Sequence, residues 1–120
     1  MPAGAYRHAL LVQTDAGTTD TTTGTHSESL TDVCTRRAAV FPAGGAPSGF
    51  AAIRTLYPGA TAFAEVRYDS GSIQIAPGQI VTWAAAGRTF EVTGAMDPDA
   101  RRRVIHVALE ERGVARTVMP

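Results

Sequence analysis

From Ala62 to Glu111 the chain reads as three successive half-buried β-stretches, the middle one a hairpin, separated by turn-forming residues, a pattern that commits the second half to β-structure. Successive side chains of an extended strand point to opposite faces, so AFAEVRY sets Ala64, Val66 and Tyr68 against Phe63, Glu65 and Arg67. The turn-rich DSGSIQIAPG follows, and then QIVTWAAAGRTFEVTGA, in which the Gly87-Arg88 step separates two apolar runs. Gln79 to Ala84 and Arg88 to Ala95 are therefore predicted to pair as a hairpin, with Phe90 and Val92 toward the core and Thr89, Glu91 and Thr93 outward. In MDPDARRR, Pro98 fixes its own φ and Asp97 or Asp99 can accept bonds from nearby amides, which predicts a turn. The last segment, RVIHVALEE, places Ile105, Val107 and Leu109 on one face, with His106 and Glu110 flanking them.

The first half is less regular. Tyr6 to Gln13 is a predicted strand with Leu10 and Val12 on one side. It runs into TDAGTTDTTTGTHSES, which has too little apolar surface to offset the entropy of ordering it, so a mobile loop is expected over about 14–30. Leu30 to Val40 is a second strand, with Arg36 and Arg37 on opposite faces, and the prolines and glycines of Phe41 to Gly49 end it. Beyond them Phe50, Ile53, Leu56 and Tyr57 sit at helix spacing, with Ser48 as a possible N-cap and Pro58-Gly59 as a stop. The stretch 49–57 fits a short helix or an extended segment. The expected fold is all-β: one domain over 1–120, a small barrel or sandwich of about six strands, loops at about 14–30 and 41–61, and a short tail over 112–120.

At 120 residues the chain can bury one modest core. Charged residues make up only 18%, and 11 basic side chains, all arginine, balance 11 acidic ones. A neutral chain has no overall electrostatic drive toward nucleic acid or an anionic membrane. The lysine-free bias is what a GC-rich coding source produces, though arginine also suits bidentate interface pairs. A lone Cys34 forms no internal disulfide and no metal-binding pair. The apolar run near the N-terminus is too short for a signal peptide and nothing approaches the roughly 20 apolar residues of a membrane helix, so synthesis in a cytoplasm and no membrane partner are expected.

Candidate chemistry is sparse. His8, His26 and His106 are scattered, which predicts structural histidines rather than metal ligands. Asp15, Asp20 and Glu28 lack the dense alternation of a calcium loop, and Cys34 has no neighbour that would activate it. There is no Gly-x-Ser-x-Gly elbow and no phosphate-cradling glycine loop. No catalytic residue, metal or cofactor is expected, and the chain is not read as an enzyme. Arg101, Arg102 and Arg103 form the densest charge run. They suit DNA phosphates, a solvated turn balanced by Asp97 and Asp99, or pairing with a neighbouring subunit's acids such as Glu110 and Glu111.

In order and spacing, several of these elements resemble the phage head-tail joining family, the head-completion or stopper proteins of tailed bacteriophages. They are Val66-Arg67-Tyr68, Ser72-Ile73, Gly78-Gln79-Ile80, Gly87-Arg88, Phe90-Glu91-Val92, and Asp97-Pro98-Asp99 before Arg101-Arg102-Arg103; Arg7-His8 ahead of Leu10-Leu11-Val12-Gln13 supplies the opening strand. One departure is the tryptophan that family members commonly carry before the second strand; here Leu30 stands at that place and the single tryptophan is Trp83.

The resemblance implies a small β-barrel that forms a homo-oligomeric ring of about twelve copies in the virion neck, where heterologous contacts close the ring. Implied partners are other copies of the chain, the portal or adaptor protein on the head side, the tail terminator or tail-tube protein on the tail side, and packaged double-stranded DNA held without sequence readout. In related stoppers a loop between the second and third strands blocks the channel. That position here is Phe41 to Ala60, with Phe50, Ile53, Arg54 and Tyr57 as obstructing or packing groups; apolar residues at helix spacing equally well bury themselves. Two other readings are a neighbouring neck or tail-terminator type ring without gating, and an SH3- or OB-like barrel binding peptide or nucleic acid. The second of these should display a basic groove with exposed aromatics, whereas most of the chain's eight aromatics fall at predicted core positions.

Overall fold

The computed structural model describes residues 6–15, 17–19, 22–27, 29–98 and 100–112. Of the expected tail over 112–120, residues 113–120 lie outside them, as do the acidic residues Asp20, Glu28 and Asp99. Along the chain run β1 (His8–Asp15), β2 (Thr18–Thr19), β3 (His26–Ser27), β4 (Leu30–Pro42), helix α1 (Ala51–Leu56), β5 (Ala62–Arg67), β6 (Ile80–Trp83), β7 (Arg88–Met96) and β8 (Val104–Glu111). Six of them close an antiparallel barrel in the order β1-β4-β5-β8-β7-β6. β6 returns to β1 through Leu11 opposite Thr82, Val12 opposite Val81 and Gln13 opposite Ile80. Within the threonine-rich stretch, β2 and β3 pair as a separate two-stranded ribbon.

Alternation explains the barrel interior. Leu10 and Val12 from β1, Cys34 and Ala38 from β4, Ala64 and Val66 from β5, Val81, Phe90 and Val92 from the hairpin, and Ile105, Val107 and Leu109 from β8 form one buried cluster. The space left among them is ≈ 10 Å³, about what one water needs. The barrel is filled by its own side chains. The predicted hairpin is present, its turn made by a 3₁₀ segment over Ala84–Ala86 and by Gly87 in the left-handed conformation at φ 66°. In the β7–β8 turn the Asp97 Oδ2 accepts the Arg102 amide at 2.9 Å, while Ala100 and Arg102 both adopt φ 57°.

The first half departs from expectation at β4, which continues through Phe41 and Pro42 because they lie opposite Phe63 and Ala62 of β5. A proline at a strand terminus removes no donor from the interior of the ladder. Two 3₁₀ turns, Ala43–Gly45 and Ser48–Phe50, then lead into α1. The stretch is helical rather than extended, and the Ser48 side chain caps nothing, because a 3₁₀ turn intervenes between it and the helix. Tyr57 closes the last turn by donating its amide to the Ile53 carbonyl at 2.9 Å.

This segment lies on the outside of the barrel and builds a second core. Phe50, Ile53 and Ala60 pack on Phe63 of β5 and Ala108 of β8, with Phe41, Tyr57 and Met96 around them. Consequently β5 is buried from Ala62 through Val66 on both faces. Phe63 and Glu65, on its outward side by alternation, are covered.

Candidate assembly surfaces

The covering segment 41–61 holds the four residues considered as channel groups, and the fold separates them. Phe50 is 1% exposed, its ring stacked on the His106 imidazole with centroids 4.0 Å apart and 10° between planes. Phe41 meets it edge-on at 5.4 Å and Phe63 tilted at 6.1 Å. Ile53 is fully buried. Tyr57 is half-buried against Gly94, where a Cβ would overlap its ring. Arg54 is exposed and donates from Nη2 to the Ala46 carbonyl at 2.8 Å. Leu56, grouped by spacing with the apolar positions, is 61% exposed. The accessible face of the helix is thus marked by Arg54 and Leu56, while Phe50 and Ile53 are sealed beneath it.

Under the helix lies a buried polar group that spacing in the sequence does not reveal. Glu65 and His106 are opposite one another on β5 and β8, both on the covered side. The His106 Nε2 and Glu65 Oε1 are 2.8 Å apart, and the Tyr6 hydroxyl donates to Glu65 Oε2 at 2.5 Å. Burial, followed by the bond to Glu65 and its charge, pushes the Tyr6 phenol up to about 12. The Arg67 guanidinium lies 5.0 Å from the Tyr6 ring centroid. These contacts fasten the residues before β1 to β5. Among the described residues, no three His, Cys, Asp or Glu side chains gather closely enough to hold a metal ion.

Register also gathers arginines that are distant in sequence. Arg37 is one residue beyond Ala38, which lies opposite Val66, and Arg67 is one beyond Val66. Alternation therefore sets both on the outer face at one corner of the barrel. Arg37 donates to the Arg7 carbonyl at 3.2 Å, and the Tyr68 amide donates to the Arg103 carbonyl at 3.0 Å. Arg7, Arg37, Arg67 and Arg101 through Arg103 all sit at this corner and are all exposed. The sequence shows the triple run; the other three arginines come from different strands and join it only in the closed barrel.

The acidic candidates separate. Glu111 accepts a two-pronged bond from Arg88 of its own chain, Nε to Oε2 at 3.0 Å and Nη2 to Oε1 at 2.6 Å, which ties β7 to β8. Glu110 is exposed and stands opposite Glu91 across the same strand pair. At the other end of the barrel Asp69 organises the loop after β5. Its carboxyl accepts the Gly71 and Ser72 amides and the Arg36 guanidinium, and is held below the usual carboxylate range by the Ser72 amide first and by Arg36 after it. Burial pushes the Cys34 thiol up, in keeping with an inert core cysteine. A shallow groove of ≈ 250 Å³ lies among Tyr68, Ile73, Ala95, Met96, Asp97 and Ile105. Ser72, which also lines it, has its hydroxyl engaged with the Asp69 backbone.

A family model described as phage head completion protein matches residues 1–112. Among solved structures the chain is similar to protein SF1141 from Shigella flexneri 2a, at 26% identity and a TM-score of 0.61, over 92% of this chain and 96% of that one. No curated protein matches the chain.

Proposed function

The chain belongs to the phage head completion protein family, and from that premise we propose that it forms a homo-oligomeric ring in the neck of a tailed phage, joining the portal or adaptor to the tail. The match over residues 1–112, which takes in every barrel strand and the helical segment, carries this reading. A structural role in the virion follows from the family; the ring, its place in the neck, its neighbours and its contact with packaged DNA are the proposal.

Gating of the DNA channel is a second reading, and it makes a definite demand on the fold. Phe50 and Ile53 are buried, so the segment 41–61 presents only its outer side, including Arg54 and Leu56, while it stays docked. A plug built from Phe50 would have to leave the His106 stack. The docked segment supports a joining ring that uses this face against the next layer. The test is to delete the gene from its viral genome and image the particles: separated heads beside free tails are expected, and normal infectious virions would refute the joining role. Removing residues 47–57 and measuring DNA retention in tailless heads addresses gating, where unchanged retention rejects that segment as the gate.

A further inference from the structure

The chain is neutral as a whole but its charges are sorted. One end of the barrel, where Arg7 before β1, Arg37 of β4 and Arg67 of β5 meet the β7–β8 turn, carries these three and Arg101 to Arg103. The acids at this end are engaged within the subunit: Asp97 accepts the Arg102 amide, Asp69 holds the Arg36 guanidinium, and Glu65 is buried against Tyr6 and His106. Further round the barrel, on β7 and β8, Glu91 and Glu110 are both exposed and directly opposite one another. Like charges facing each other across a strand pair destabilise the subunit that carries them. Among the described residues neither glutamate is in an ion pair, and the adjacent Glu111 is occupied by Arg88. Along β8 the glutamate end and the arginine end are six residues apart, roughly 20 Å.

Two different patches of opposite sign at separate places on one barrel are what a head-to-tail contact between identical subunits requires. We propose that the arginine corner of one subunit packs against the Glu91–Glu110 pair of the next, and that this contact sets the direction of the ring. The inference rests on the ring reading above and names its lateral interface. The occupant of each patch is a second copy of this chain, because the complement of each patch is present on the same molecule. Packaged DNA would suit the arginine corner but would leave the facing glutamates unneutralised. A rim contact of this kind contributes mainly to orientation and association rate, and salt weakens it.

The experiment supplies variants in trans to a phage lacking the gene and counts infectious particles, with melting of each purified subunit as the fold control. Two half-swaps, E91R/E110R and R37E/R102E, are each expected to lower the yield at least tenfold, and the fourfold variant R37E/R102E/E91R/E110R to recover part of it. In addition, E91Q/E110Q is expected to raise the melting temperature of the isolated subunit by roughly 1–4 °C, since it removes the facing charges, while lowering the particle yield. Half-swaps that complement as well as the natural chain would overturn the inference, as would a fourfold variant that folds normally and stays inactive. If the fourfold variant fails to fold, the two half-swaps are supplied together. Each half-swap carries the sign that the other has lost at the contact, so the two subunits can alternate around a ring; particles support the contact and continued absence of particles overturns it. A deletion phage that is infectious without any supplied subunit would remove the ring reading itself and this interface with it, which is distinguishable from failure of the interface alone.

Discussion

Replacing Phe50 with alanine tests whether the outer helical segment is part of the cooperative fold or a detachable flap. Phe50 is 1% exposed and touches three aromatic rings, those of His106, Phe41 and Phe63. Burying a side chain of this size contributes about 1.5–3 kcal/mol, and ring contacts of this type add about 0.5–1.5 kcal/mol. The sum agrees with the roughly 3–5 kcal/mol measured for Phe→Ala in well-packed cores. The expected loss is therefore about 3–4 kcal/mol, a drop in melting temperature of roughly 10–18 °C for a domain between the usual size classes. Urea unfolding of Phe50→Ala should show a lower midpoint at an unchanged slope, which separates lost stability from a changed unfolding unit. Leu56→Ser on the same helix is the control, and its 61% exposure predicts a change within about 0.5 kcal/mol. A loss under about 1 kcal/mol for Phe50→Ala would refute the reasoning, because it would mean that the segment leaves the barrel at little cost.

Three further outcomes follow from the hydrogen-bonded groups and close approaches. Tyr6→Phe removes a bond to a buried carboxylate and should cost about 1.5–3 kcal/mol near neutral pH. With a folded pKa of about 12 against the ordinary 10.0, this contribution is complete below pH 10 and is lost as pH rises through 12. Urea midpoints of the two proteins should converge over that window, and a constant gap would count against the Tyr6–Glu65 bond. Asp69 has the opposite sign: its lowered pKa gives stability that is present above the usual carboxylate range and is lost on acidification. Asp69→Asn should accordingly be less stable than the natural chain at neutral pH, with the two approaching each other in acid, as followed by circular dichroism. Finally, Gly94→Ala places a methyl in the Tyr57 ring and should cost about 1–3 kcal/mol through displacement of that ring, read from thermal melting.

The barrel was legible where one face of a strand is solvent and the other is core. Phe90 and Val92 on β7, and Ile105, Val107 and Leu109 on β8, are buried as alternation indicated. Legibility failed where both faces are covered. Glu65 and His106 sit at outward positions and look like surface residues in the sequence; Phe50 stacked on His106 and Tyr6 bonded to Glu65 accompany their burial. The helix was recognisable from spacing, but six residues are too few for that spacing to separate buried Ile53 from exposed Leu56. Glu111 and Glu110 are adjacent and equivalent in the sequence. The strand register gives one of them Arg88 and the other a facing glutamate, a distinction that requires the ladder. The arginine corner was one-half visible for the same reason.

The join of β6 to β1 is only three residue pairs long and connects positions about seventy residues apart in the chain. Closing so long a stretch of chain carries a large entropic toll before any contact compensates it, so this junction belongs late in folding. A nascent chain leaving the ribosome would hold β1 with an unsatisfied margin until Thr82 has been synthesised. During that interval the incomplete sheet offers its bare edge to other nascent copies, and the danger of mispairing rises with their concentration.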